Sequence, residues 1–256
     1  MAQFNAGFSS ITQFGSRALR LAIVAAAGAV LTDAASAQAF RSQALGWHVQ
    51  TETRIEASSP ETVRLLAGIM EIRSAVQLGL LAKQDGRPAA HLSDARMIVW
   101  PEYREGLMAA GMADLDPLLQ KLDAATDKAA IAAANTEIEA ALMKGHAALN
   151  PTSADVLLSL HALAEKVATQ TINPSGPTDA HDYQVAWGRI MAARGELDLL
   201  MHDSDPAIAK YASEAAMAFD DVIISLPDPG RTGPVEVDPS LFNELVSRLE
   251  GLDQEA

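Results

Sequence analysis

The feature that most constrains this chain is its repeated punctuation: a capping side chain followed at once by proline. Ser59-Pro60-Glu61, Asp116-Pro117, Asp205-Pro206 and Asp238-Pro239 all carry it. Proline suits the first position of a helix, where its missing N–H has no partner to lose, and a preceding Ser or Asp accepts from the orphan amides. Behind each start, apolar residues recur at helical spacing. Val63, Leu66, Ile69, Met70, Val76, Leu80 and Leu81 form one stripe, and Val156, Leu157, Leu160, Leu163, Ala164 and Val167 another. Residues 60–226 show no strand-like alternation. Aromatic residues make up only 5% of the chain, while 49% is hydrophobic, a balance that favours helices over sheet. The expected fold is all-α: an up-and-down antiparallel helical bundle preceded by a cleavable signal peptide.

The first helix is expected from Pro60 to about Gln84, and a second opens at Pro88. Trp100-Pro101 predicts a break or kink. From Asp116 an alanine-rich stretch reads as one helix, or as two meeting near Thr126-Asp127. Asn150-Pro151 closes it and Thr152 or Ser153 caps the next. Asn173-Pro174-Ser175-Gly176-Pro177 is a loop. Thr178-Asp179 starts a helix to about Met201, containing Gly188 and Gly195, and Pro206 starts one that ends near Leu226. A Pro/Gly linker covers 228–238 and a last amphipathic helix 239–256. Connections this short favour antiparallel neighbours. The expected organisation is therefore a signal peptide (1–37), an N-terminal linker (38–57), a bundle (58–227), the Pro/Gly linker and the C-terminal helix.

The leader is read from its three parts. Arg17 and Arg20 lie in an acid-free start, Leu21 to Leu31 is uninterrupted apolar sequence, and Ala35-Ser36-Ala37 supplies a small-residue cleavage site, with Ala37-Gln38-Ala39 as the alternative. The apolar run is too short for a membrane anchor. No Arg-Arg pair is present, so the general secretory route is expected and the product belongs in the periplasm. Charges interrupt the later apolar runs, and no transmembrane segment is expected in the mature chain.

A formal net charge of −14 excludes nucleic acid and anionic lipid as partners, because both need clustered Lys and Arg. The absence of cysteine excludes disulfide scaffolds, thiolate metal sites and thiol nucleophiles. There is no phosphate-binding loop, dinucleotide fingerprint, GxSxG elbow, HExxH helix or EF-hand loop. No catalytic motif is found, and the chain reads as a non-enzyme.

Histidine carries what chemistry remains. His91 and Asp94 are three apart on an expected helix, and His161 and Glu165 four apart, spacings that bring side chains together. His181-Asp182 falls at a helix start, and His202-Asp203 at a helix end. Two such pairs converging inside a bundle would make a carboxylate–histidine metal site. Met108 and Met112, four apart, are explained by packing before copper binding. Trp100, Tyr103, Tyr183 and Trp187 read as helix-to-helix anchors.

The run Arg87-Pro88-Ala89-Ala90-His91-Leu92-Ser93-Asp94-Ala95, followed by Trp100-Pro101-Glu102-Tyr103, looks like a helical-hairpin pattern of exported alphaproteobacterial proteins. Thr178-Asp179-Ala180-His181-Asp182-Tyr183-Gln184-Val185-Ala186 is similar to the acid–Tyr segment opening a helix in the periplasmic domain of bacterial iron-permease-type proteins. The resemblance spans about 65–220. It implies a periplasmic bundle connected to iron or another transition metal, and nominates His91, Glu102 and Tyr183; Asp94 stands where a second histidine would be expected. The candidate ligands are therefore His91, Asp94, Glu102, His161 and Glu165, for a possible transition-metal ion as cofactor. The expected function is a periplasmic accessory factor that binds or handles that ion. The alternative is an interaction protein docking an envelope or inner-membrane partner through its helical faces. On that reading the last helix lies in a partner's groove; otherwise it folds back on its own bundle.

Overall fold

The computed structural model describes residues 56–255, with side chains described to 251. The expected leader and nearly all of the N-terminal linker lie outside the described residues. The chain described is all-α, without a strand among these residues.

Helix α1 (Pro60–Gln84) starts where the Ser59 hydroxyl accepts from the Thr62 amide at 2.9 Å. Apolar and small residues run all around it, so no side of it favours water. Such a helix belongs at the centre of a fold. It packs against α2 (Ala90–Asp94), α3 (Trp100–Ala109), α5 (Lys128–Leu149), α6 (Ser153–Lys166) and α7 (Ala180–Leu200). One core on its flank joins Ile72 and Val76 to Trp100, Leu119 and Ile138; the other joins Met70 to Leu160, Ile190, Phe219 and Phe242. Each fully buried aliphatic chain there contributes roughly 1.5–3 kcal/mol. By length and composition α1 could cross a membrane (mean hydropathy 1.5) although Glu71 and Arg73 interrupt its apolar run. In the fold 83% of that window is buried against neighbouring helices.

The proline step at Trp100-Pro101 does not stop the helix. The chain widens into a π-helical turn over Ala95–Val99 and re-enters α3, with Pro101 near its start. Proline lacks an amide and crowds the carbonyl four residues back, and the looser turn accommodates both. The alanine-rich stretch is two helices. Helix α4 (Asp116–Ala124) ends before Asp127, whose carboxylate caps α5 through the Ala130 amide at 2.8 Å.

Thr152 and Asp155 close a reciprocal capping box on α6, and the buried Asp155 carboxylate also accepts from the Ser58 amide and hydroxyl. One side chain thereby ties the start of α1 to the start of α6. A second π turn, Val167–Thr171, ends α6. Helix α7 is capped by Asp179 and runs unbroken through Gly188. A Cβ at Gly188 would sit 2.5 Å from Ser74 Oγ and 2.8 Å from a Leu78 methyl, so this glycine lets α1 and α7 touch.

After α8 (Pro206–Ser225) the Pro/Gly segment lies against α7 as a strap. Thr178 and Val235 exchange two backbone hydrogen bonds (2.8 and 2.9 Å), and the Tyr183 hydroxyl donates to the Pro227 carbonyl. Helix α9 (Ser240–Glu255) folds back onto the bundle, burying Phe242, Leu245 and Leu249 in the core shared with α6 and α8. The face that would enter a partner's groove is thus occupied.

Candidate metal centre

His91 enters on the first turn of α2, Asp94 follows one turn later, and His181 lies on the first turn of α7. Their ligand atoms all fall within 4.8 Å of one another, the one such group of three His or acidic side chains among the described residues. Asp94 Oδ2 is 2.7 Å from His181 Nε2 and 3.6 Å from His91 Nδ1. The side chains are graded in exposure: 5% for His91, 24% for Asp94 and 39% for His181.

The shorter contact has ion-pair distance but not hydrogen-bond geometry. Three buried side-chain polar atoms among the described residues lack a hydrogen-bond partner, and two of them, His91 Nδ1 and Asp94 Oδ2, face each other here; Asn135 Oδ1 on α5 is the third. A buried polar atom left unpaired costs about 1–3 kcal/mol; His91 Nδ1 bears that cost, while Asp94 Oδ2 is offset in part by its contact with His181.

The other ring nitrogen of His91 is held. It lies 2.9 Å from Gln184 Oε1, and the Gln184 amide nitrogen donates to the Pro229 carbonyl at 2.9 Å. The strap thereby orients the Gln184 amide with its oxygen toward His91, and an oxygen acceptor requires the proton on Nε2. That leaves the Nδ1 lone pair free, the tautomer a metal ligand needs. Burial lowers the pKa of His91 below 6.5; the neighbouring His181 and Arg87 push the same way, against Gln184 and Asp94. A neutral imidazole is the ligating form.

The His91 and His181 rings stack 4.4 Å apart and 6° from parallel. A ligating imidazole holds its metal in the ring plane, and two parallel planes cannot share one ion. Binding therefore requires the half-exposed His181 ring to swing, while buried His91 and half-buried Asp94 stay in place.

The structure distributes the expected ligands unequally. His91 and Asp94 meet as their spacing suggests, and His181 joins them in place of its sequence neighbour Asp182, which is exposed. Glu102 lies elsewhere, pairing with Lys166 at 3.2 Å. His161 is half-buried with a partner of its own, Glu165 is exposed, and neither belongs to the group of three. Tyr183 touches the strap. Gln184 escaped sequence reasoning: a neutral amide three residues after a histidine carries no signal of its own.

A second polar cluster lies nearby. Buried Glu71 on α1 accepts from Tyr103 (2.9 Å) and Arg189 (2.7 Å) and pairs with Lys166 at 2.8 Å, while Arg189 also donates to Thr171. Burial, then the Glu71 charge, raises the Tyr103 pKa far above its ordinary value and keeps the hydroxyl protonated as a donor. Trp100, Tyr103 and Tyr183 are buried anchors, as expected. Met112 packs in the core and Met108 is exposed, so the two do not form a thioether pair.

Fold and site together define a helical protein with a possible two-histidine, one-carboxylate metal site. No protein-family model, curated protein or solved structure matches this chain.

Proposed function

We propose that this chain is an exported, non-enzymatic protein that binds one divalent transition-metal ion through His91, Asp94 and His181 and serves as an accessory factor in its handling. The observation that carries the reading is the facing pair of buried atoms without hydrogen bonds, His91 Nδ1 and Asp94 Oδ2, with the His91 tautomer set by Gln184. Two imidazoles and a carboxylate suit iron(II), zinc, manganese or nickel by ligand type. The iron-permease-like segments put iron first among them. The acidic charge adds a potential that gathers cations. An envelope or inner-membrane protein that delivers or receives the ion is the partner this role requires. The helices are read in up-and-down order, after a leader removed on export.

Titration of purified protein with iron(II), zinc, manganese and nickel, followed by calorimetry and thermal unfolding, tests the site. One equivalent is expected to bind and raise the unfolding temperature. His91→Ala and His181→Ala should abolish both effects, and His161→Ala should leave them intact. If none of the four ions binds or stabilises the protein, the reading falls. Cell fractionation with N-terminal sequencing tests export, with Gln38 or Phe40 expected as the first residue of the periplasmic form.

A further inference from the structure

A chamber of about 30 Å³ lies between the two polar clusters, with Glu71, Ser74, Ala75, His91, Asp94 and Arg189 in its wall. A water needs on the order of 10–15 Å³, so the chamber takes two or three water-sized groups. His91 and Asp94 of the candidate metal centre and Arg189 of the second cluster all line it, with Leu78, Val99 and Val185 as its apolar wall.

Charge decides what belongs there. Without metal, the carboxylates of Asp94, Glu71 and Glu102 exceed the cations of Arg189 and Lys166 by one, so a divalent ion turns a net charge of about −1 into about +1. A divalent ion at His91–Asp94–His181 adds two positive charges to this buried region. Glu71 cannot offset them, because Tyr103, Lys166 and Arg189 already engage it. Excess charge in a low-dielectric interior is costly unless paired, and a bound metal becomes the dominant local charge. Water is neutral and leaves the imbalance; a small anion reduces it.

We propose that the chamber walled by His91, Asp94, Ala75 and Arg189 is a subsite for a small anion, bound to the metal on one side and facing Arg189 on the other. This rests on the metal reading above. The size admits anions of one to three heavy atoms, such as fluoride or azide, and excludes a five-atom oxyanion such as sulfate.

The test is cobalt(II) titration of the purified full chain, read by visible absorption, in buffer alone, with azide and with sulfate. Azide is expected to change the cobalt spectrum and tighten cobalt binding at least 10-fold, and sulfate to do neither. Ala75→Leu, which fills the chamber, should retain cobalt binding and lose the azide effect; Ala75→Val, a smaller intrusion, should weaken it, and circular dichroism checks that each variant is folded. Cobalt binding without an azide effect, or with an equal sulfate effect, overturns the subsite and leaves the metal centre standing. An azide effect unchanged in folded Ala75→Leu also overturns it, since the anion would then reach the metal elsewhere. Failure of the unaltered protein to bind cobalt overturns the subsite, while the metal centre stands or falls on the four-ion titration above.

Discussion

The Glu71 cluster and the His91 cluster border one chamber, yet they are built on opposite principles. Around Glu71 a buried carboxylate meets Lys166, Arg189 and the Tyr103 hydroxyl, so its charge is matched and its oxygens are engaged. Around His91, two buried atoms face each other without hydrogen bonds, and the nearest exposed member, His181, has room to move. A matched network holds helices in register. An unmatched one costs stability and leaves its atoms open to a ligand, an ion or water. The contrast separates the polar residues that hold α1, α3, α6 and α7 together from those that can bind.

Removing Glu71 should break the contrast most severely. Glu71→Ala leaves Lys166 and Arg189 facing a buried void, and a loss of about 3–5 kcal/mol in urea unfolding is expected. A loss below about 1 kcal/mol would show that the network does not secure the fold.

Gln184→Leu acts on the other cluster. It removes the acceptor that sets the His91 tautomer, and metal affinity should fall about 10–100-fold, the range for outer-shell partners. The metal-free protein should unfold within about 1 kcal/mol of the unaltered chain. Calorimetry and denaturation together read the split, and a loss of stability without a loss of affinity would assign Gln184 to the strap alone.

Gly68 sharpens the comparison from below. A Cβ there would overlap the Tyr103 ring and push its hydroxyl from Glu71. Gly68→Ala should cost about 1–3 kcal/mol, as overpacking does, with metal affinity unchanged.

The smallest effect is on pH. Burial, first among the causes, lowers the pKa of His91 and of His146 below 6.5. On acidification the unfolded chain takes up protons before the folded one. Stability of the metal-free protein should therefore be level above pH 6.5 and decline as pH falls toward the lowered folded values. His146→Gln should flatten part of that decline in urea unfolding at a series of pH values. An identical slope would assign it to other groups.

Local chemistry made much of this fold legible. Ser59, Asp127, Thr152, Asp179 and Asp205 each cap a helix through amides two or three residues away, a range over which sequence spacing fixes spatial spacing. The His91–Asp94 pair was legible for the same reason, being one turn apart on α2. Glu102 was misplaced because a resemblance in sequence says nothing of which way α3 faces; there it meets Lys166.

What the chain determined alone was its helical class, its helix starts and two of the three candidate ligands, because caps and one-turn neighbours are decided within a few residues. Only the tertiary structure made α1 the central helix, brought His181 from ninety residues downstream of His91, and laid the strap's Pro229 carbonyl on Gln184. Those meetings depend on which apolar faces bury each other across the whole chain, and no local spacing records that choice.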